Sequence, residues 1–166
     1  MPFSYGRVIR FHETDAAGVV YFARLLTLCH EAYEAALATV DIDLRAFFSA
    51  AGGVAVPIVH TEADFYQPVR CGDAIAITLT PKQLSLHSFE ITYTISNQPP
   101  GQRSDRAPDK LLDRSPDKSP DKATAKPLAW ALTRHVCTNL NSNRRHPLTP
   151  ALVDWIESVA SATPAG

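Results

Sequence analysis

The sequence has little of what marks membrane, secreted or nucleic-acid-binding proteins. It has no apolar run of about 18 residues, so it predicts no transmembrane helix. Its first residues, MPFSYGRVIRF, lack the apolar core and cleavage site of a secretory signal. Its three cysteines are scattered and odd in number, which fits neither a disulfide framework nor a metal knuckle. The net charge of −1 argues against a general nucleic-acid binder. We therefore expect a cytoplasmic protein with no nucleic-acid partner.

The sequence also lacks the short motifs of several enzyme classes. It has no GxSxG nucleophile elbow, no P-loop and no GxGxxG turn. His30-Glu31 begins like the zinc-binding helix motif HExxH, but position 34 is Glu, so we predict no metal site. The length of 166 residues and the apolar fraction of 45% are typical of one globular domain.

What is present begins with a strand pattern and a helix pattern. Side chains alternate in part over residues 3–11, which predicts a strand. One face of that strand carries Tyr5, Arg7, Ile9 and Phe11. From Tyr21 to about Val40 the apolar residues recur at helical spacing, which predicts one long helix. A shorter helix is predicted over Leu44–Ala51, ending at two glycines.

Four further segments have the composition and alternation of strands. They are residues 54–66, 74–80, 87–96 and 128–140. Pro57 interrupts the first of them, which indicates an edge position or a bulge. The predicted order is a strand, a long helix and four strands in a meander. One helix against a five-stranded antiparallel sheet is an α+β arrangement.

Residues 97–127 do not share this pattern. Asp-Arg and Asp-Lys pairs begin every four residues from Asp105 to Asp121, and three prolines interrupt any helix that this spacing would support. The segment has almost no apolar surface to bury, so we predict a disordered insertion in a hairpin; a docking arm is the alternative. The predicted domain spans residues 1–142, and a tail with a short helix follows over 143–166.

Residues 10–21 read RFHETDAAGVVY, and Asp15 is the most informative of them. A carboxylate here would lie beside a helix N-terminus, whose free N–H groups can hold a carbonyl oxygen. That pairing suits hydrolytic acyl transfer. The alternative role of Asp15 is an N-cap or turn acid. His12 is either a polar residue at the strand end or a partner of Asp15.

At these residues the chain resembles a known family. The run from Asp15 through Gly-Val-Val-Tyr, followed by a long helix and four strands, is similar to the hot-dog-fold acyl-CoA thioesterases of the 4-hydroxybenzoyl-CoA thioesterase type. The resemblance covers about residues 5–98 and 127–140. It is greatest to cyanobacterial 1,4-dihydroxy-2-naphthoyl-CoA hydrolases of phylloquinone biosynthesis, in the segments TDAAGVVYFARLLTLCHEAYEAAL, VPIVHTEADFYQPVRCGD and RHVC. It implies a hot-dog fold, in which a five-stranded antiparallel sheet wraps around one long helix.

The resemblance also implies roles for single residues. Asp15 would be the catalytic carboxylate, either as the nucleophile or as the base that activates water. The backbone at Val19 and Phe22 would polarise the thioester carbonyl, and Gly18 would let the thioester approach. No cofactor is expected, because the CoA thioester is itself the substrate. The family binds its acyl group between two subunits, which implies a homodimer or a homotetramer.

Other candidate residues have a competing role each. His60 and Asp64 lie four apart on one strand, so they share a face; His60 would bind an aryl hydroxyl or lie at a dimer interface. Tyr21 would line the aryl pocket or belong to the core. The basic candidates for CoA phosphates are Arg70, Arg144 and Arg145, for which surface solvation is the alternative.

These residues and the resemblance leave three functions open. The first is hydrolysis of 1,4-dihydroxy-2-naphthoyl-CoA. The second is a broader thioesterase that acts on aryl or short-chain acyl-CoA or acyl-carrier-protein substrates. The third belongs to another class: a hot-dog protein that binds acyl-CoA without turnover. The retained acid at position 15 counts against the third function.

Overall fold

The computed structural model describes residues 3–40, 42–98 and 126–161. Residues 99–125, nearly all of the charged insertion predicted from the sequence, lie outside the described residues. The strands are β1 (Ser4–Val8), β2 (Val54–Ala55), β3 (Ile58–Phe65), β4 (Ala74–Ser85), β5 (Ser88–Asn97), β6 (Ala129–Val136), β7 (Thr138–Asn139) and β8 (Arg144–Arg145). The α-helices are α1 (Phe22–Ala38), α2 (Leu44–Phe47) and α3 (Pro150–Ser161), and 3-10 helices span Phe11–Glu13 and Ala50–Gly52.

The main sheet has five antiparallel strands in the order β1-β4-β5-β6-β3. This arrangement, with α1 packed against the sheet, confirms the predicted α+β hot-dog fold class. The predicted four-strand meander is wrong in one respect, since only β4, β5 and β6 follow one another in the sheet. β3 crosses to the far edge and pairs with β6. β3 cannot pair with β4, because β1 and β5 already occupy the two edges of β4.

Proline and strand pairing explain how two predicted strands divide. Residues 54–66 form β2 and β3, separated at Pro57, which has no N–H to donate to a ladder. β3 lies at the edge of the main sheet and has a register shift between Ile58 and His60, so both expectations from Pro57 are confirmed. The strand predicted over residues 128–140 divides into β6 and β7. β6 belongs to the main sheet, whereas β7 belongs to a second sheet of order β2-β7-β8.

The long helix buries one face against the sheet. Its buried residues are Leu25, Leu28, Cys29, Ala32, Tyr33, Ala36 and Leu37, at the predicted helical spacing. On the sheet, the alternating residues of β4 and β5 that the pattern assigned to one face are buried: Ile75, Ile77, Leu79, Phe89, Ile91, Tyr93 and Ile95. Each large apolar side chain buried in this way contributes about 1.5–3 kcal/mol. No described helix is long and apolar enough to cross a bilayer.

α3 packs on the same core. Leu152, Trp155 and Ile156 are buried, and α3 contacts β4. The Trp155 ring lies 5.5 Å from the ring of Tyr33 on α1 and 6.1 Å from the ring of Phe89 on β5. The short helix predicted within the tail over 143–166 is therefore α3, and it fills part of the protein interior.

A short polar chain crosses this core. The Tyr93 hydroxyl is 3.3 Å from the Thr133 hydroxyl, which is 2.9 Å from His135 Nε2. The His135 ring stacks on Phe89 at 4.6 Å, and burial, with a smaller effect of His30, lowers the pKa of His135 to about 4. Among the described residues Nδ1 has no partner of normal hydrogen-bond geometry, although the Val56 backbone offsets part of the pKa shift. His135 is therefore neutral at pH 7.

Candidate active site

The loop that carries Asp15 is closed by its own backbone. The Asp15 N–H donates to the Val19 carbonyl oxygen at 2.9 Å, and the Gly18 N–H donates to the Asp15 carbonyl oxygen at 3.0 Å. Gly18 has a φ of 75°, a left-handed conformation that glycine adopts without steric cost. Thr14 pairs with Val20 just outside this turn. The loop therefore returns the chain directly to the start of α1.

One oxygen of the Asp15 carboxylate is held by a hydrogen bond, and the other is available to a substrate. Its Oδ1 accepts the Ala17 N–H at 2.8 Å, which fixes the side chain above its own turn. Oδ2 accepts no hydrogen bond from any residue that the structure describes. The side chain is exposed. One oxygen of an oriented carboxylate is thus free to meet a carbonyl carbon or a water molecule.

The start of α1 presents free hydrogen-bond donors beside this acid. Tyr21, the N-cap residue, makes no side-chain cap, and the first turn contains no acidic residue. In the described part of the chain, the N–H groups of Phe22 and Ala23 have no acceptor. The positive end of the helix dipole is therefore neither capped nor neutralised by a side chain. Such a helix start can hold an oxygen on which negative charge develops.

A pocket of about 400 Å³ joins the acid and the helix start. One wall carries Asp15 together with Val19, Val20, Tyr21 and Phe22. The segment Phe65–Val69, which starts at the last residue of β3, also lines the pocket, as do Leu25, Leu28, Ile75, Ile95 and Ala129. Asp15 carries the only charge among the described residues that line the pocket. Its size and apolar lining suit a small organic group.

The sequence candidates near this pocket divide into lining and rim residues. Val19, Tyr21 and Phe22 line it, whereas Gly18 does not. A Cβ added to Gly18 would meet no atom within 4 Å, so its conformation rather than crowding accounts for the glycine. Arg70 lies at the rim: its backbone pairs with Val19, and it follows Val69, which lines the pocket.

The structure does not bring His60 and Asp64 to the pocket. In β3 they lie opposite Arg134 and Trp130 of β6, whereas Phe65, which lines the pocket, lies opposite Ala129. Directly opposed residues share a sheet face, so His60 and Asp64 lie on the face away from α1. His60 Nε2 is instead 2.7 Å from the carboxylate of its neighbour Glu62.

Arg144 and Arg145 also lie away from the pocket. They form β8, which pairs with β7 beyond the C-terminal end of β6. The pocket floor includes Ala129, the first residue of β6. The two arginines are therefore at the other end of the protomer, and Arg70 is the basic candidate that lies beside the pocket.

Sequence reasoning missed a buried acid next to the site. Glu13, which follows the predicted first strand, is only 4% exposed. Its Oε1 lies 2.6 Å from Arg7 Nη2, and the Arg7 guanidinium also contacts the Glu31 carboxylate. The signal was present, because alternation placed Arg7 on the same strand face as Ile9, which is buried. An arginine on an inward face requires a nearby acid.

Residues that could bind metal do not come together here. Within residues 3–40, 42–98 and 126–161, no three His, Cys, Asp or Glu side chains form a group that could hold an ion. His30 Nδ1, part of the incomplete zinc motif, lies 2.9 Å from Glu34 one helical turn later. His12 is exposed on the first 3-10 helix and does not line the pocket.

Comparison with known proteins adds to this geometry. The family model described as thioesterase-like superfamily matches residues 9–156. The chain is 40% identical over 158 residues to a 1,4-dihydroxy-2-naphthoyl-CoA hydrolase of Synechococcus elongatus, covering 95% of this chain and 97% of the relative. It is 42% identical over 155 residues to the protein of the same name from Crocosphaera subtropica, covering 93% and 96%. The crystal structure of a 1,4-dihydroxy-2-naphthoyl-CoA thioesterase from Synechocystis matches with a TM-score of 0.75 at 33% identity, covering 96% and 98%.

Proposed function

The chain belongs to the thioesterase-like superfamily, and from that premise we propose that it hydrolyses 1,4-dihydroxy-2-naphthoyl-CoA to 1,4-dihydroxy-2-naphthoate and CoA in phylloquinone biosynthesis. The observation that carries this proposal is the pocket in which the Asp15 carboxylate lies beside the uncapped start of α1. Relatives of about the same length bear the name of this hydrolase. Together they supply a reaction type and a substrate.

In the proposed reaction Asp15 acts on the thioester carbonyl by one of two routes. As a nucleophile, its free oxygen bonds to the acyl carbon while the C–S bond breaks, which gives a mixed anhydride and CoA thiolate; water then cleaves the anhydride. As a general base, it takes a proton from water, and the water oxygen attacks the same carbon. In both routes negative charge grows on the carbonyl oxygen, where the N–H groups of Phe22 and Ala23 can donate to it.

The reaction needs no added cofactor on chemical grounds. Thiolate is a good leaving group, so the C–S bond can break without a strong acid beside the sulfur. A carboxylate and two amide donors supply the nucleophile or base and the charge stabilisation. The pocket lining supplies an apolar surface for an aromatic ring, which includes Tyr21, Phe22 and Phe65.

A second copy of the chain is part of the proposal. β3 is one of the two edge strands of the main sheet, and it leaves Ile58, Val59 and Phe65 between 44% and 57% exposed, next to Tyr66. An apolar edge of this kind is a surface for strand pairing with another chain. We infer a homodimer or homotetramer assembled across it. A cytoplasmic location fits the three free cysteines.

The test is release of free thiol from three thioesters measured side by side: 1,4-dihydroxy-2-naphthoyl-CoA, benzoyl-CoA and butyryl-CoA. The proposal expects a clear preference in kcat/KM for the naphthoyl substrate. Equal and slow rates would instead support a broader aryl or short-chain thioesterase. Tight binding of the naphthoyl thioester without turnover would support an acyl-CoA-binding protein. Dilution favours dissociation of an oligomer into protomers. Sedimentation is therefore measured at the protein concentration of the assay, and it shows which assembly is present when the thioester is hydrolysed.

A further inference from the structure

Three elements around the catalytic loop meet at one charged cluster, formed by Arg7, Glu13 and Glu31. Arg7 comes from β1, Glu13 ends the 3-10 helix before the loop, and Glu31 lies on α1. Arg7 Nη2 donates to Glu13 Oε1 at 2.6 Å, and Arg7 Nη1 donates to Glu31. The side chains of Arg7 and Glu13 are 14% and 6% exposed, against 37% for Glu31. The Arg7–Glu13 pair is therefore the interior part of the cluster.

Glu13 connects this cluster to both ends of the loop. Its second carboxylate oxygen, Oε2, accepts the Arg10 N–H at 2.7 Å, which holds the chain that enters the loop. Its backbone oxygen accepts the Tyr21 N–H at 2.9 Å, which holds the residue before α1. Asp15 lies two positions after Glu13, and the free donor of Phe22 lies one position after Tyr21. A shift of Glu13 would therefore move the acid and the amide donors relative to each other.

We propose that Glu13, oriented by Arg7, is a positioning residue that sets the geometry between the Asp15 carboxylate and the N–H groups at the start of α1. The inference rests on the proposed function, because it assigns a purpose to that geometry. Glu13 does not line the pocket, so it acts through the loop and not on the substrate. Displacement of a reacting group by about 1 Å can lower a rate about 100-fold.

The chemistry of the cluster explains why a carboxylate is needed at position 13. Both oxygens of Glu13 accept from donors, one from Arg7 and one from the Arg10 backbone. Glutamine has one acceptor oxygen and one NH2 group. In Glu13→Gln the NH2 group would therefore face either the Arg7 guanidinium or the Arg10 N–H, and these two donors would repel each other. Arg7→Lys keeps the charge but replaces a rigid fork by a single ammonium group. Each change disturbs the cluster without removing a large side chain.

The experiment compares Glu13→Gln and Arg7→Lys with the native chain in two measurements. Steady-state hydrolysis of 1,4-dihydroxy-2-naphthoyl-CoA, well below the melting temperature, gives kcat and KM separately. We expect kcat to fall about 10- to 100-fold while KM changes less than about threefold, since binding contacts remain. Hydrogen exchange in the segment 14–24 should be faster in both variants, because the Tyr21 N–H loses a fixed acceptor.

A matched control separates positioning from a general loss of stability. Glu90→Gln weakens another partly buried pair, in which Arg134 Nη2 donates to Glu90 Oε2 at 3.2 Å between β5 and β6. Neither residue lines the pocket. This variant should keep the native kcat and the native exchange in segment 14–24, whatever its melting temperature. An equal fall of kcat in Glu90→Gln would overturn the proposal.

The outcomes distinguish this inference from the proposed function. If the native chain hydrolyses the thioester and both folded variants keep its kcat, the positioning role is refuted. If Glu13→Gln does not fold, Arg7→Lys decides, because it keeps the buried carboxylate and the positive charge. If the native chain hydrolyses none of the three CoA thioesters, the proposed function fails. The exchange measurement still decides whether Glu13 couples the two ends of the loop.

Discussion

Acidification from pH 7 to pH 5 should lower the free energy of unfolding by about 2 kcal/mol through His135 alone. Burial lowers the pKa of His135 to about 4 in the folded protein, whereas an unfolded histidine has its ordinary value of 6.5. Below pH 6.5 the unfolded chain therefore binds a proton that the folded chain does not. Stability is complete above pH 6.5 and is lost progressively as the pH falls toward 4.

The size of the effect follows from the pKa difference. Each pKa unit corresponds to about 1.4 kcal/mol, so the full loss below pH 4 is about 3 kcal/mol. About 2 kcal/mol of this loss falls between pH 7 and pH 5. The groups around the ring are Tyr33, Phe89, Thr133 and, more distantly, His30, none of which is an acid that could retain the proton.

Urea unfolding at pH 7, 6 and 5 measures this loss, with tryptophan fluorescence as the probe and a fixed protomer concentration. His135→Gln keeps a hydrogen-bonding side chain but removes the titration, so its stability should fall by about 2 kcal/mol less over the same interval. His12→Gln, which changes an exposed histidine, should follow the native curve. Parallel pH curves for native and His135→Gln proteins would refute the reasoning.

Three further changes test the loop, its acid and the insertion. Asp15→Asn should lower kcat at least about 100-fold, because it removes the nucleophile or base, while a non-hydrolysable thioether analogue still binds. Thiol release measures the turnover and calorimetry measures the binding. Near-native turnover would contradict the assignment. Gly18→Ala should lower the free energy of unfolding by about 1 kcal/mol, because alanine resists a φ of 75°, although its methyl group meets no neighbour; an unchanged urea midpoint would argue against this turn. Deletion of residues 101–124 should leave melting temperature and turnover nearly unchanged, since β5 and β6 pair through their own backbones and the Leu128 N–H donates to Ile95 at 2.7 Å; a large fall in melting temperature would refute it.

Local periodicity predicted the elements whose burial depends on neighbouring positions. Alternation in β4 and β5 identified the buried face, and helical spacing identified the buried stripe of α1, because both patterns report which side chains avoid water. The position of β3 was beyond such a pattern. It depends on pairs such as Ala63 opposite Ala131, which are far apart in the chain, and on β1 occupying the competing edge.

The candidate site was predictable in its loop and less so in its surroundings. The sequence around Asp15 and Gly18 predicted an acid before a helix start, since these residues are neighbours in the chain. The sequence predicted only that Phe65 and Tyr66 end a strand, because only the folded sheet brings the segment Phe65–Val69 to the same pocket as Tyr21. Likewise His60 and Asp64 share a face, as their spacing predicts, but a period of two does not tell which face.

The bare start of α1 also bears on how this protein would respond to selection for heat resistance. Tyr21 is a poor N-cap, and Ser, Asp or Asn at that position would stabilise the helix by about 1 kcal/mol. The new side chain would accept a hydrogen bond from the Ala23 or Arg24 N–H. It would therefore compete with the carbonyl oxygen of the proposed thioester substrate for the donors at the helix start. A screen for thermal stability alone should therefore select Ser, Asp or Asn at position 21. The proteins that it recovers should be more stable but have a lower kcat.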